Sequence, residues 1–357
     1  MDYKKQLSII QLEKIQDILS ELPLYCHDFF DYCDGTLNRS AATLFQYAHD
    51  IKTFFNFLLE QNPLINTYND ITLDFLDELT PRDIQEYMSY LRNHKDHITG
   101  KTLSNDASAR ARKLSSLRSF YQYYFTFAGL HQNPAKLISS PKIHNKKQSR
   151  LDSEETKEFL NNIKSSSLDD KKSPYAKRTE LRDSAIIALL TGTGIRVSEL
   201  VGIDLKDIDW EHNCIKIIRK GGNEDIIYFG EEIKKYLKNY IENERPSDVD
   251  TPALFLSSRS VKERLMPRSV ERVVSKYAAA TLPSKKITPH SLRRTFGTNY
   301  YEKSSDLYAV ADALGHKNIQ VTKDHYADVS DRKKQQVKSF SDELLKSESD
   351  DSTKKTP

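Results

Sequence analysis

The chain has 357 residues, 38% hydrophobic and 29% charged, with 19 Tyr and 15 Phe against a single Trp; this predicts about two domains and excludes wholesale disorder. No apolar run approaches the ~18 residues of a membrane span and the start lacks a secretory apolar segment, so a cytoplasmic protein is expected. Three scattered cysteines, Cys26, Cys33 and Cys214, form neither a disulfide framework nor a C-x-x-C zinc pair. The net charge of +3 hides a segregation: residues 1–100 hold 8 Lys and Arg against 16 Asp and Glu, whereas residues 101–150 hold 10 against Asp106 alone. A basic stripe of that density points to polyanions.

In chain order, Leu44, Tyr47, Ala48, Ile51, Phe55, Leu58 and Leu59 recur at helical spacing between Ser40 and Glu60, one face turned inward. Thr80 and Pro81 open a second helix with Ile84, Tyr87, Met88 and Leu91 on its apolar side. A third runs from about Ser104 to Phe127, carrying Leu114, Leu117, Tyr121 and Tyr124 on one side and Arg110, Arg112, Lys113 and Arg118 along its first two-thirds. From Asn133-Pro134 to Arg150 the composition, with Pro141, Lys142, Lys146 and Lys147, is that of a linker. Beyond it the pattern is mixed. Helices are expected near Thr156–Ile163 and Arg182–Leu190, then a hairpin, 214–218 and 226–229, around Lys220-Gly-Gly-Asn223. Helices resume at 233–241, 267–280, 289–302, 306–314 and 319–326, and a polar tail begins at Ser347.

Several segments bear chemistry, each with an ordinary reading beside it. Thr288-Pro289 starts a helix on which His290 and Arg293 stand three apart, a cationic pair fit for an anion at a helix N-terminus or merely a surface pair. Thr191-Gly-Thr-Gly194 delivers Arg196 to a helix start. A dinucleotide loop is disfavoured there, because Val197 occupies the third glycine position and no strand precedes it. Lys220 sits on a turn, where lysines are commonly just solvated. Gly315 stops a helix with His316 just beyond, and Tyr326 follows ten residues later. His27, Asp28 and Asp31 lie between two cysteines, but match no metal pattern and read as solvated groups beside core aromatics.

The ordered set Arg196, Lys220, His290-x-x-Arg293, Leu-Gly-His316 and Tyr326 resembles the active-site signature of the tyrosine recombinase (phage integrase) family, and the resemblance covers nearly the whole chain. Segments 181–190, 205–208, 219–222 and 22–59 are most similar to the XerS-type branch, which resolves chromosome dimers. The ten-residue step from His316 to Tyr326 is one longer than is usual in Xer proteins and is similar to many mobile-element integrases. The resemblance implies an α+β, mainly α fold: a helical core-binding domain over 1–133, a basic linker over 134–150, a catalytic domain with a small antiparallel sheet over 151–338, and a tail over 339–357 whose short helix docks on a neighbouring protomer. It implies a 3′-phosphotyrosine intermediate, with Tyr326 as nucleophile, His290 as general base, Lys220 as general acid, and Arg196, Arg293 and His316 on the scissile phosphate.

The implied partners are double-stranded DNA with a specific recombination site and a homotetramer assembled on it; an accessory protein is left unassigned. Arg110, Arg112, Lys113, Arg118, Lys142, Lys146 and Lys147 are the expected DNA contacts. No carboxylate cluster has metal-ligand spacing, so neither metal nor other cofactor is expected and cations of the protein take that role. A mobile-element integrase is the alternative, with a type IB topoisomerase or a non-catalytic DNA-binding relative behind it.

Overall fold

The computed structural model describes residues 3–95, 100, 102–143, 150–166, 179–219, 221–258, 260, 263–316 and 318–320, and the chain divides into two compact units, Met1–Lys146 and Lys147–Pro357. As expected, it is mainly helical, with a small antiparallel sheet among the described residues of the second unit. Among the described residues no helix is long and apolar enough to cross a membrane.

In the first unit, α1 (Tyr3–Leu19) and α2 (Tyr25–Asp31) precede a single π turn, Tyr32–Thr36. The long α3 (Ala41–Gln61) follows, then α4 (Leu73–Glu78) and α5 (Pro81–Tyr90). A minimal antiparallel ladder, β1 (His94–Lys95) with β2 (Thr102–Leu103), leads to α6 (Ala107–Phe127). Caps explain the starts. Ser40 Oγ accepts from the Thr43 N–H at 3.4 Å, and Thr80 N–H donates to Asp83 Oδ2 at 2.7 Å ahead of Pro81. Asp106 Oδ1 takes the Ala109 N–H at 2.8 Å, which moves the start of α6 from the expected Ser104 to Ala107.

The inward face of α3 is as predicted at Leu44, Ala48, Ile51, Phe55 and Leu58, but Phe54 and Phe57 on its flank are buried too. They meet Tyr87 and Tyr90 of α5, with ring centroids 4.9 and 5.1 Å apart for Phe54–Tyr87 and Phe57–Tyr90. Cys26 and Cys33 belong to this core, and burial pushes the Cys33 thiol up to about 11 and Cys26 higher still. In the native protein at pH 8, therefore, a thiol reagent should label Cys214 first and Cys26 only after unfolding; peptide mass mapping over time reads this order.

The segment from Pro134, expected as linker, corrects that reading at its start. Residues Pro134–Leu137 form a helical turn, α7, with Pro134, Ala135 and Ile138 buried in the first unit. Asn133 Oδ1 caps it through the Lys136 N–H at 3.1 Å. Arg118 holds it from α6: Nε donates to the Ala135 carbonyl at 3.0 Å, one terminal nitrogen to Ser140 Oγ at 3.1 Å, and the other to the Ile138 carbonyl.

The second unit begins with α8 (Ser153–Ser166) and α9 (Glu180–Thr193); α9 is buried almost all round and packs on two further helices, α11 (Glu231–Asn243) and α13 (Pro289–Ser304). Its charged start is buried as well: Arg182 pairs with Asp183 at 2.9 Å and donates to the Leu256 carbonyl at 2.9 Å. The short α10 (Val197–Leu200) leads to a three-stranded antiparallel sheet ordered β3 (Ile208–Asp209), β4 (Cys214–Ile218), β5 (Glu224–Tyr228). The expected hairpin is β4–β5, in register Ile215↔Ile227 and Ile218↔Glu224. The two-residue β3 is too short for an alternation to reveal it. Ile215 and Ile217 face the core while Lys216 is exposed. After α11 come α12 (Pro267–Thr281), α13 and α14 (Leu307–Leu314). Of the expected helix 319–326 only the first residues are described; the tail helix over 339–346 and the polar tail lie outside the described residues.

Candidate active site

Three chain segments meet at the C-terminal end of α14. α9 ends at Gly194, whose left-handed backbone (φ 63°) turns the chain toward α10 and whose N–H closes on the Leu190 carbonyl at 3.1 Å. A Cβ on Gly194 would stand 2.6 Å from the Phe296 ring and 2.9 Å from Leu314 Cδ2, so close packing of α9 on α13 and α14 also demands glycine. Gly194→Ala is expected to cost about 2–4 kcal/mol through backbone strain plus overpacking. A thermal or urea melt of the variant checks this.

The turn delivers Arg196, the residue that starts α10. Its N–H donates to Glu199 Oε2 at 3.0 Å, and its guanidinium reaches Glu199 Oε1 at 2.9 Å and the Gly315 carbonyl at 3.2 Å. Glu199 is only 4% exposed, and a carboxylate so buried needs its cations.

On α13, Thr288 Oγ1 accepts the Ser291 N–H at 3.2 Å and Pro289 occupies the first turn, as the sequence predicts. His290 is exposed at this N-terminus, whereas Arg293, one turn on, is 5% exposed. The difference lies in reach: the Arg293 guanidinium extends inward to the Gly194 carbonyl at 2.6 Å and to the Leu314 carbonyl. The same helix receives the incoming chain, for Leu151 N–H donates to Thr295 Oγ1 at 2.9 Å and Arg150 to Thr298 Oγ1 at 3.3 Å.

α14 ends at Gly315 (φ 59°), and His316 N–H closes back on the Ala311 carbonyl at 2.9 Å. Arg196 and Arg293 thus converge on consecutive carbonyls of the corner that carries His316. A helix C-terminus, with orphan carbonyls and the negative end of the dipole, is a natural place to collect guanidinium groups. The local charge and the planar forks suit a tetrahedral or trigonal-bipyramidal oxyanion. Lys220 and Tyr326 lie outside the described residues.

The structure also displays residues that the sequence pattern does not mark. Glu199 reads there as part of an ordinary helix start, although its i,i+3 spacing from Arg196 is a signal. Arg219, 7% exposed, reads only as part of a turn motif.

Of the expected DNA contacts on α6, Arg110 is half-buried and Arg112 partly exposed. Arg112 and Lys113 both pair with Asp50 of α3, Lys113 at 3.2 Å, and Ser116 Oγ donates to the same carboxylate at 2.7 Å. Asp50 is 2% exposed, so these two cations also support the fold, as Arg118 does through α7. Lys142 is exposed; Lys146 and Lys147 lie outside the described residues.

Residues 149–333, just over half of the chain, match the Phage integrase family, and residues 27–125 match the Phage integrase, N-terminal SAM-like domain. The chain belongs to the tyrosine recombinase (phage integrase) family. This recombinase is 32% identical over 331 residues to tyrosine recombinase XerC of Caldanaerobacter subterraneus subsp. tengcongensis, covering 89% of the chain and 85% of the relative. It is also 32% identical over 356 residues to tyrosine recombinase XerS of Streptococcus uberis, covering 90% and 97%. Its fold is that of XerH site-specific recombinase, solved on palindromic difH substrate as a post-cleavage complex, with a TM-score of 0.66 at 20% identity over 91% of this chain and 88% of that one. Lambda integrase (75–356), solved as a dimer on a COC′ core site, has a TM-score of 0.57 at 17% identity, covering 84% and 94%. The family is one of enzymes that transfer DNA strands, and this recombinase is Xer-like by its relatives.

Proposed function

We propose that this recombinase binds a specific duplex site, cuts each strand by attack of Tyr326, and rejoins it to a partner, resolving chromosome dimers as a homotetramer assembled on DNA. The convergence of Arg196 and Arg293 on the Leu314–His316 corner is the observation that carries this reading. Two guanidinium forks beside an imidazole neutralise the charge that grows on the non-bridging oxygens as the phosphate becomes five-coordinate. The phenol oxygen bonds to phosphorus while the bond to the 5′-oxygen breaks. His290 takes the phenol proton and the Lys220 ammonium protonates the departing oxygen. The resulting 3′-phosphotyrosine conserves an ester, so a 5′-hydroxyl from another duplex reverses the step onto a new strand without ATP.

Arg110, Arg112, Lys113, Arg118, Lys142, Lys146 and Lys147 would supply phosphate contacts and a salt-dependent affinity. Integration and excision of a mobile element is the second reading, favoured by the ten-residue step from His316 to Tyr326. The experiment is to trap covalent complexes formed in cells, sequence the attached DNA, and map the nucleotide-bearing peptide. A single site near the replication terminus linked through Tyr326 supports dimer resolution. Element boundaries favour the second reading, and recovery of no linked DNA sinks both.

A further inference from the structure

One buried guanidinium stands in the middle of the site without belonging to the six-residue signature. Arg219 directly follows β4. Its Nε donates to Asp225 Oδ2 at 2.7 Å, one terminal nitrogen to Glu199 Oε2 at 3.2 Å and the Leu314 carbonyl at 3.5 Å, and the other to the Ala313 carbonyl at 3.3 Å. The α14 corner is shaped to receive it: a Cβ on Gly315 would lie 2.6 Å from Arg219 Nε and 2.7 Å from Cζ. Arg219 therefore joins the sheet, the Glu199–Arg196 pair and the His316 corner through one planar group.

We infer that Arg219 is a positioning residue for strand cleavage, acting through Arg196 by sharing the Glu199 carboxylate. Glu199 is held by two guanidinium groups, Arg196 at 2.9 Å and Arg219 at 3.2 Å. With both present, the charge of Glu199 is divided and Arg196 keeps positive potential for an incoming phosphate. Without Arg219, Arg196 must compensate the buried carboxylate alone and is drawn toward it. The α14 carbonyls are also left short of a donor, which loosens the corner bearing His316. A lysine at this position keeps the charge but, as a single ammonium, cannot span Asp225, Glu199 and two carbonyls. The inference rests on the proposed role of Arg196 as a phosphate fork.

The test uses the full chain and a nicked suicide duplex built from the DNA recovered with the wild-type protein. Its scissile linkage is either an ordinary phosphodiester or a methylphosphonate, in which an uncharged methyl replaces one non-bridging oxygen and relaxes the need for Arg196. On the phosphodiester, Arg219→Lys and Arg219→Ala should slow single-turnover adduct formation about 100-fold, the scale of a small misplacement of a reacting group. Duplex affinity should stay within about twofold, since the phosphate contacts that set it are elsewhere. On the methylphosphonate the deficit should shrink to less than about tenfold, as the missing charge is no longer demanded. Wild-type rates for Arg219→Lys, or equal slowing on both linkages, overturn the inference; should Arg219→Ala fail to fold, Arg219→Lys decides. Arg196→Ala serves as the control. If its own deficit does not shrink on the neutral linkage, the phosphate-fork reading falls; if it shrinks and that of Arg219→Lys does not, only the present inference falls.

Discussion

Tyr326→Phe should bind its duplex as the wild type does, within about twofold because phosphate contacts set affinity, and yet form no covalent protein–DNA adduct on a nicked suicide substrate. The substitution removes one oxygen, the atom that bonds to phosphorus in the proposed reaction. A phenol with an ordinary pKa near ~10 is ionised in only about one molecule in several hundred at pH 7.5. Attack thus depends on proton removal as the bond forms, and His290→Ala should slow the adduct by about 10²–10⁴-fold, whereas Tyr326→Phe should abolish it. Denaturing electrophoresis of labelled DNA separates these outcomes. The chain has 19 tyrosines, so adduct formation by the Phe variant would assign the nucleophile to another of them.

The second large effect concerns Asp50. Replacing Arg112 and Lys113 together by alanine should destabilise the first unit by about 3–5 kcal/mol, the cost of leaving a buried charge without its partners. Among the described residues, Asp50 would retain hydrogen bonds from Ser116 at 2.7 Å and Gln46 at 3.2 Å. Adding Asp50→Asn should return much of that stability, because a neutral amide needs hydrogen bonds and no counter-charge. The triple variant then isolates the electrostatic role of the two cations. If they also meet DNA phosphates, its affinity falls and the slope of log affinity against log salt flattens by about 2, roughly one for each phosphate no longer neutralised. Chemical denaturation and salt-titrated binding of the double and triple variants read these effects separately. A double variant as stable as wild type would contradict the buried-pair account.

Much of the fold is legible because its signals are local. Thr80-Pro81 and Thr288-Pro289 announce helix starts within four residues, and α3 and α6 advertise their buried faces by spacing alone. The hairpin β4–β5 is written in alternating isoleucines around a glycine turn. The ordered residues Arg196, His290, Arg293 and His316 can be picked out by family resemblance. The exposure of His290 beside the burial of Arg293 cannot, because it depends on carbonyls at Gly194 and Leu314, 99 and 21 residues distant along the chain from Arg293.

α7 is hidden in linker composition for a related reason. What holds Pro134–Leu137 in place is Arg118, a residue whose charge and position on α6 point toward DNA. Nothing in a run of small, polar and basic residues discloses that a guanidinium from another helix will take up their carbonyls.

From the order of residue types alone came the mainly helical class and the basic segment after residue 100, since periodicity, capping and composition are properties of neighbours in the chain; the residues that mark a tyrosine recombinase came from resemblance to the family. Only the tertiary structure decided which charges face one another. It paired Arg112 and Lys113 with Asp50, divided Glu199 between Arg196 and Arg219, and set Arg196, Arg219 and Arg293 on the carbonyls at the end of α14. A buried charge must find its partner wherever folding brings one, and that partner is chosen by proximity in space.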